Sequence, residues 1–485
     1  MAATTDRGIS YYDGVPQEQT PLGDVAALAL RSKLTEVPKG GVLLVMVGLP
    51  ARGKSFMSAK LYSFVKWGGQ KIKVFNVGSY RRAESSMNSS ANFFDDQNEA
   101  ASRKREELAV RVLDEALDWL AEKRVAIFDA TNSTRARREA ILARASSKSP
   151  PGRPVRVIFV ESICDDRRVL EQNVRNKVRA SPDFKGMNFD DAVRDLKLRL
   201  AHYESRYETV SDDEGAYIKS YNFSSKVTSH LCFGRMSKTI LPFLIALHTD
   251  DRPIYLCALP PTSREPEKVM KLSKAGVWPS TSSLTSIGGG VDDFGDRLAN
   301  FWWASATRTL CQLQTESRVL VLSSTMPQAV AAAERVADAN PDLVTLSHTS
   351  ALNPLLITPN HQYFTSQNNK SDDTDAETDN DDAEAASSRR QSFNDRGDGG
   401  ESFADLVRRL ETVVLDLESS VDPVLVVCHA TPARALRAYF KNIDVFDISR
   451  HVMDPESQAL ADAAPAVLEV RQSMSGHYSE KVHWI

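Results

Sequence analysis

The sequence predicts an α/β protein built in two consecutive blocks, the first a mostly parallel sheet with helices on both faces. Three observations carry this expectation. Short apolar runs alternate with helical periodicity from Gly40 to about Tyr221. The alternation resumes near Arg252, and an acidic stretch almost without large apolar residues interrupts the second block. Strand–helix alternation of this kind favours a parallel sheet covered by its own crossover helices.

In the first block, GVLLVMV (Gly41–Val47) reads as a buried strand, and Ser55 to about Trp67 as a helix stopped by Gly68-Gly69. KIKVFNV (Lys71–Val77) is a second strand. Arg103–Leu120 is an amphipathic helix with Leu108, Val112, Ala116 and Leu120 four apart. VAIFDA (Val125–Ala130) and VRVIFVES (Val155–Ser162) are further strands, and Asp190–Tyr207 a further helix. In the second block the strands are Pro253–Leu259, Arg318–Ser324, Leu343–His348 and Pro423–Ala430, with helices at Asp296–Leu313, Gln328–Asp338 and Ser402–Leu417. The expected division is a flexible leader at 1–38, a first domain at 39–249 and a second at 250–485 with an acidic insert at about 368–400. Its core, SDDTDAETDNDDAEA (Ser371–Ala385), cannot bury enough surface to offset its ordering entropy. Arg389-Arg390-Gln391-Ser392, near the insert's end, either suits a basic-directed protein kinase acting on Ser392 or is a chance string in a polar loop.

The chain has 485 residues, 42% hydrophobic and 26% charged, which excludes a mostly disordered protein. Lys and Arg number 60 against 64 Asp and Glu, a net charge of -4, which argues against electrostatic capture of nucleic acid or anionic membranes. The 5 cysteines are scattered and form no CxxC, so a reducing compartment fits better than a disulfide framework or a zinc site. MAATTDRGISYYDG carries an early charge and no apolar core, unlike a secretory signal, and no apolar run approaches the ~18 residues of a membrane helix. A cytoplasmic protein is expected, with a homo-oligomer left open.

Gly48-Leu49-Pro50-Ala51-Arg52-Gly53-Lys54-Ser55 matches GxxxxGK[ST] between a predicted strand and a predicted helix, the context in which that motif binds phosphate. Backbone N–H groups and the helix N-terminus would face the phosphates, Lys54 would neutralise β/γ charge, and the Ser55 hydroxyl would ligate Mg²⁺. Asp129 ends the strand VAIFDA, where ligands of open α/β sheets bind. It either serves Mg²⁺, accepts a proton from an attacking hydroxyl, or caps the next helix. Arginines at two strand exits, Arg81-Arg82 and Arg135, Arg137 and Arg138, either converge on a phosphorylated second substrate or form solvated basic faces.

VMVGLPARGKS, KVFNVGSYRR, NFFDDQNEAA, VAIFDATNSTRARR, VESICDD, SPDFKGMN and RLAHYESRY, in this order from Gly41 to about Tyr221, resemble the 6-phosphofructo-2-kinase/fructose-2,6-bisphosphatase family. The resemblance implies a P-loop kinase domain followed by a histidine-phosphatase-like α/β domain. The implied kinase transfers the ATP γ-phosphoryl group to the 2-hydroxyl of fructose 6-phosphate, with Mg²⁺. It implies that Gly48 to Ser55 (Gly48, Leu49, Pro50, Ala51, Arg52, Gly53, Lys54, Ser55) bind ATP, that Ser55 and Asp129 serve the metal, and that Asp129 and Lys54 are catalytic. Cys164 matches a cysteine near the nucleotide and joins the catalytic candidates, although by residue type it is equally a small strand-end core residue. Asn173 matches an adenine-side asparagine. Lys177 stands one position early for the family lysine that follows. Arg81, Arg105, Thr131, Arg137, Arg199 and Tyr203 fall on fructose 6-phosphate contacts.

In the second block PIYLCALPP, Gly399–Glu418 and VLVVCHA resemble the family's bisphosphatase domain. Where that domain needs Arg-His-Gly this chain has Ala258-Leu259-Pro260, where it needs an acid the chain has Pro354, and a phosphate-site arginine reads Gln328. Only His429 persists. The expectation is a kept fold without hydrolysis, because leucine has no lone pair to attack phosphorus. A non-catalytic sugar-phosphate or nucleotide sensor, a P-loop kinase acting on polynucleotide ends and a bifunctional enzyme with weak residual phosphatase activity are the competing readings. Intact Lys54, Ser55 and Asp129 oppose the first, and the acidic net charge opposes the second.

Overall fold

The computed structural model describes residues 40–84, 91–94, 98–122, 124–223, 225–249, 251–259, 291–313, 318–355, 394, 400–447, 466–473 and 475–484. The leader, the acidic run Ser371–Ala385, the Arg389–Ser392 segment and Pro260 lie outside them.

β1 (Val42–Val47) is buried at every residue, as a central strand covered on both faces must be. It leads through the phosphate loop into α1 (Lys54–Trp67), closed by Gly68. β2 (Ile72–Asn76), α2 (Val77–Ala83), α3 (Glu99–Leu120), β3 (Val125–Asp129), α4 (Arg135–Lys148), β4 (Arg156–Ile163), α5 (Arg167–Ala180) and α6 (Phe189–Glu204) follow. β5 (Tyr217–Tyr221), β6 (Lys226–His230) and α7 (Arg235–Ala246) complete the first unit. Its 6-stranded sheet has the order β2-β3-β1-β4-β5-β6 and is parallel except at β6.

β7 (Pro253–Ala258), α8 (Val291–Leu313), β8 (Val319–Ser324), α9 (Pro327–Asp338) and β9 (Val344–Thr349) open the second unit. α10 (Phe403–Ser419), β10 (Val424–Cys428), α11 (Ala430–Lys441), β11 (Ala466–Gln472) and β12 (Tyr478–Trp484) finish it. The order is β12-β11-β7-β10-β8-β9, with β7, β10, β8 and β9 parallel and a C-terminal antiparallel hairpin on the β7 edge. The α/β architecture expected from the alternation is present in both units.

Local chemistry sets several boundaries. α3 starts at Glu99, four residues before the predicted Arg103, because the Asn98 side chain accepts from the Ala101 N–H. Ser402 and Asp405 form a reciprocal capping box at the start of α10. α4 was not legible from periodicity: its buried residues are only Arg138, Ile141 and Ala145.

The units share one apolar core. Phe64 and Trp67 of α1 lie in the same cluster as Leu410, Leu436 and Tyr439 of the second unit. Phe64 meets Tyr439 edge-on at 6.5 Å, Trp67 meets Tyr439 edge-on at 5.7 Å, and the Trp67 indole donates to the Ala435 carbonyl at 2.7 Å. Burying each such ring contributes about 1.5–3 kcal/mol, so the interface is part of the folding core.

Candidate active site

The site grows from the end of β1. Gly48 has φ +134°, and a Cβ there would come within 2.5 Å of the Ser162 carbonyl. Gly53 has φ +85°, and a Cβ there would sit 2.3 Å from the Phe223 ring. Only glycine fits both turns. The Gly48 N–H donates to the Thr131 carbonyl at 2.9 Å, which ties the loop to the segment after β3. β1 and β3 are hydrogen-bonded neighbours, so Asp129 and the loop share one sheet edge. Leu49 and Ala51 are buried, and the Arg52 guanidinium reaches across to Glu204 at 3.0 Å. Ser55 is exposed at the first turn of α1, where its hydroxyl is free to meet a ligand from solvent.

Lys54 is buried, and its ammonium donates to the Leu49 carbonyl at 2.6 Å. Burial first, then the nearby charges of Lys177 and Arg52, lowers its pKa to about 7 despite the opposing pull of Asp129. Asp129 is 4% exposed and accepts from Asn76 Nδ2 at 2.5 Å. Asn76 also caps α2 by accepting from the Ser79 N–H at 2.9 Å. Sequence reasoning missed Asn76; its place as a capping residue between a strand and a helix was the available signal. It also missed Asn132, which adopts φ +45° and donates through Nδ2 to the Met46 carbonyl at 2.7 Å.

Lys177 presents much of its length to solvent, yet its ammonium group lies among Asp129, Asp183, Arg82 and Arg199. Burial of the ammonium lowers its pKa, the charges of Arg82 and Arg199 push the same way, and those of Asp129 and Asp183 oppose. Its early sequence position therefore does not keep it from Lys54 and Asp129. Asn173, on the same helix, has a buried Nδ2 with no hydrogen-bond partner in the described structure, an orphan donor that a ligand could satisfy. Cys164 is buried, and that burial raises its thiol pKa, so it stands beside the loop as a neutral thiol and gains no support as a nucleophile.

Next to this group lies an arginine cluster. Arg81 Nη2 meets Asp183 Oδ2 at 2.5 Å, and Arg199 Nη1 meets the same oxygen at 3.3 Å, all three side chains being nearly buried. Both guanidinium groups pack on the Phe94 ring, at 5.2 and 4.7 Å. Tyr203 lies 6.2 Å from that ring, and Arg105 donates to the Phe93 carbonyl. Arg81, Arg105, Arg199 and Tyr203 thus gather on one Phe93–Phe94 platform. Arg137 instead pairs with Glu106, next to Arg105 in sequence. The other two arginines of TNSTRARR do not converge. Arg138 is 0% exposed in a bidentate ion pair with Glu214, and Arg135 faces solvent with Glu139 and Asp213.

In the second unit the equivalent strand ends are apolar. Leu259 is buried among Cys257, Phe294 and Leu298, and its N–H donates to the Cys428 carbonyl at 2.9 Å. Ala258 pairs in register with Cys428. His429 begins α11 with a buried, unpartnered Nδ1, and burial lowers its pKa to about 4, so it is neutral at physiological pH. Arg409 is committed to Glu401 and to the carbonyls of Ala351, Asn353 and Pro354.

Comparison with known proteins fits this geometry. Residues 31–251 match the family described as 6-phosphofructo-2-kinase, and residues 304–464 the histidine phosphatase superfamily (branch 1). A 6-phosphofructo-2-kinase/fructose-2,6-bisphosphatase of Arabidopsis thaliana is 31% identical over 94% of this chain and 55% of its own length, so this chain spans about half of that relative. One of Aquarana catesbeiana is 31% identical over 84% of this chain and 79% of its own. The 6-phosphofructo-2-kinase 1 of Saccharomyces cerevisiae is 31% identical over 83% of this chain and 48% of its own. Among solved structures, a mycobacterial hydrolase aligns with 48% of this chain and 97% of its own at 17% identity and a TM-score of 0.27. With both family models matched in order, and a relative 31% identical of which this chain covers 79%, the chain belongs to the 6-phosphofructo-2-kinase/fructose-2,6-bisphosphatase family.

Proposed function

We propose that this protein is a 6-phosphofructo-2-kinase that transfers the γ-phosphoryl group of ATP to the 2-hydroxyl of fructose 6-phosphate, and that its second unit no longer hydrolyses the product. The observation that carries the reading is the placing of Lys54, Lys177 and Asp129 at the phosphate loop, beside an arginine pair already holding an anion, Asp183.

In this reading Lys54 leaves the Leu49 carbonyl for the β/γ-phosphates, whose charge keeps it protonated. The loop N–H groups and Lys177 add to the stabilisation of charge spread over the transferring oxygens. Arg81 and Arg199, with Arg105 and Arg137 at the rim, hold the sugar phosphate so that its 2-hydroxyl meets the γ-phosphorus in line, which lowers the entropic part of the barrier. Asp129, oriented by Asn76, accepts or orients the hydroxyl proton. Asn173 turns its orphan amide to the nucleotide base. Among the described residues no group of three or more His, Cys, Asp or Glu forms a metal cage. A site of one hydroxyl and one carboxylate, Ser55 and Asp129, nevertheless fits Mg²⁺, which draws its remaining ligands from water and phosphate oxygens. When bound, the ion neutralises β/γ charge.

Loss of hydrolysis is supported by Leu259, held in the core where a nucleophile is needed, and by a His429 that is neutral and lacks a partner at Nδ1. A cytoplasmic location fits the absence, among the described residues, of any helix long and apolar enough to cross a membrane. The test is incubation of the purified chain with Mg-ATP and fructose 6-phosphate, with the phosphorylated position of the product determined. A parallel assay measures phosphate release from fructose 2,6-bisphosphate. A 1-phosphorylated product, or no product, overturns the kinase assignment; sustained phosphate release overturns the loss of hydrolysis.

A further inference from the structure

The helix that follows the phosphate loop is gripped by the other unit. Lys60 of α1 and Glu418 at the end of α10 form an ion pair with both oxygens, at 3.0 and 3.1 Å, with side chains 0% and 1% exposed. The Tyr478 hydroxyl, on β12, accepts from Lys60 at 2.6 Å and donates to Glu418 at 2.7 Å, and Tyr439 of α11 donates to the same carboxylate. Lys60 also lies 3.9 Å from the centre of the Tyr478 ring. Burial lowers the Lys60 pKa to about 8, and Glu418 opposes the fall, so the ammonium stays charged at neutral pH. Arg252, 1% exposed, faces the same cluster and donates to the Leu417 carbonyl. At the first turn of α1, the hairpin turn at Gly476 lies so close that a Cβ there would come within 2.9 Å of the Phe56 carbonyl. Phe56 immediately follows Ser55.

We propose that Lys60, Glu418 and Tyr478 are positioning residues for the phosphate loop, and that the phosphatase-like unit serves ATP binding by fixing the register and tilt of α1 from behind. A helix is stiff over so short a span. A hold on Lys60 and Phe56 therefore fixes the N–H groups and side chains at Lys54 and Ser55 that start the same helix. A buried ion pair is a poor source of stability but a good source of one defined geometry. Each partner here can pair only with the other unit in place. The inference rests on the phosphate-loop part of the proposed function and not on the identity of the acceptor.

The test uses the full chain with three variants: Tyr478→Phe, Glu418→Gln, and the double Lys60→Met/Glu418→Gln. The Mg-ATP dissociation constant is read by equilibrium titration, the KM for fructose 6-phosphate by kinetics, and folding by thermal melting. Tyr478→Phe keeps the ion pair and is expected to melt close to wild type. It should nevertheless weaken Mg-ATP binding about fivefold or more, within the usual range of coupling between sites, while the fructose 6-phosphate KM stays within about twofold. Glu418→Gln should weaken Mg-ATP binding further and melt lower, because Lys60 is left unpaired. The double variant removes both charges and should regain melting temperature without regaining Mg-ATP affinity. Wild-type Mg-ATP affinity in Tyr478→Phe, a recovery of affinity in step with stability in the double variant, or failure of Tyr478→Phe to fold would each overturn the proposal. A wild-type chain that binds Mg-ATP yet makes no fructose 2,6-bisphosphate would defeat the kinase reading alone.

Discussion

The two units present the same stage with different furniture. Each has a central parallel strand, β1 or β7, whose C-terminal end meets the end of a hydrogen-bonded parallel neighbour, β3 or β10. At the first such meeting stand Lys54, Asp129 and an arginine cluster held by Asp183. At the second stand Ala258, Leu259 and a neutral His429. The backbone that builds the crevice is nearly indifferent to what lines it, because strand cores fold on apolar pattern while chemistry resides in a few strand-end side chains.

The comparison breaks most readily at Lys54. Lys54→Met should lower the phosphoryl-transfer rate by about 10²–10³-fold, as loss of an electrostatic contact in a water-poor site does. Near-wild-type transfer, measured by product formation at saturating substrates, would show that Lys54 plays no part in catalysis and that the phosphate-loop assignment is wrong. Arg81→Ala and Arg199→Ala should each raise the KM for fructose 6-phosphate about ten- to hundredfold, the loss of a charge-assisted contact, with the ATP KM little changed. Equal damage to both KM values would mean that the arginine cluster is not a separate subsite.

A smaller effect follows from protonation. Lys54 in the free protein has a pKa lowered to about 7, so its ammonium is lost above that pH, while phosphates bound at the loop would hold the proton on. Binding above neutrality then requires proton uptake, and Mg-ATP affinity should weaken about tenfold from pH 6 to pH 8. Titration in Lys54→Met should flatten this dependence; an unchanged slope would assign it to another group. Least of all is expected at the second crevice. Leu259→His should give no phosphohistidine and no hydrolysis, because Ala258 supplies no guanidinium, Pro354 no proton, and His429 stays neutral. Measurable turnover there would show that one side chain separates the two units.

Much of this was legible in the sequence, for reasons that differ between residues. β1 and α1 announce themselves because an unbroken apolar run, two glycines and Lys54-Ser55 state strand, turn and helix within a few residues. β12 was missed because exposed Ser479, Lys481 and Val482 break any regular apolar alternation, and β11 because its short apolar run gives way at once to the polar Glu469, Arg471 and Gln472. α5 buries only Val174 and Val178, too few for a helical period to emerge. Around the phosphate loop, residues carried by contiguous motifs could be named from the sequence, while Asn76 and Asp183 could not, since each acquires meaning from a partner distant in the chain: Asp129 for one, Arg81 and Arg199 for the other. The same holds for Lys60, whose ion-pair partner lies 358 positions away. Nothing local to α1 distinguishes it from a solvated surface lysine.

The Asp183 bridge has a consequence for how an anion would enter its crevice. One carboxylate oxygen serves both Arg81 and Arg199, while the other, Oδ1, is buried without a partner. On the proposed reading, a phosphate arriving there would not fall into an undischarged positive well; it would trade places, wholly or in part, with an anion that belongs to the protein. Capture of this kind is ion exchange. The resting crevice would then be kept from drawing in every passing small anion, and selectivity would rest on whether the newcomer offers the two guanidinium groups more oxygens than the resident it displaces.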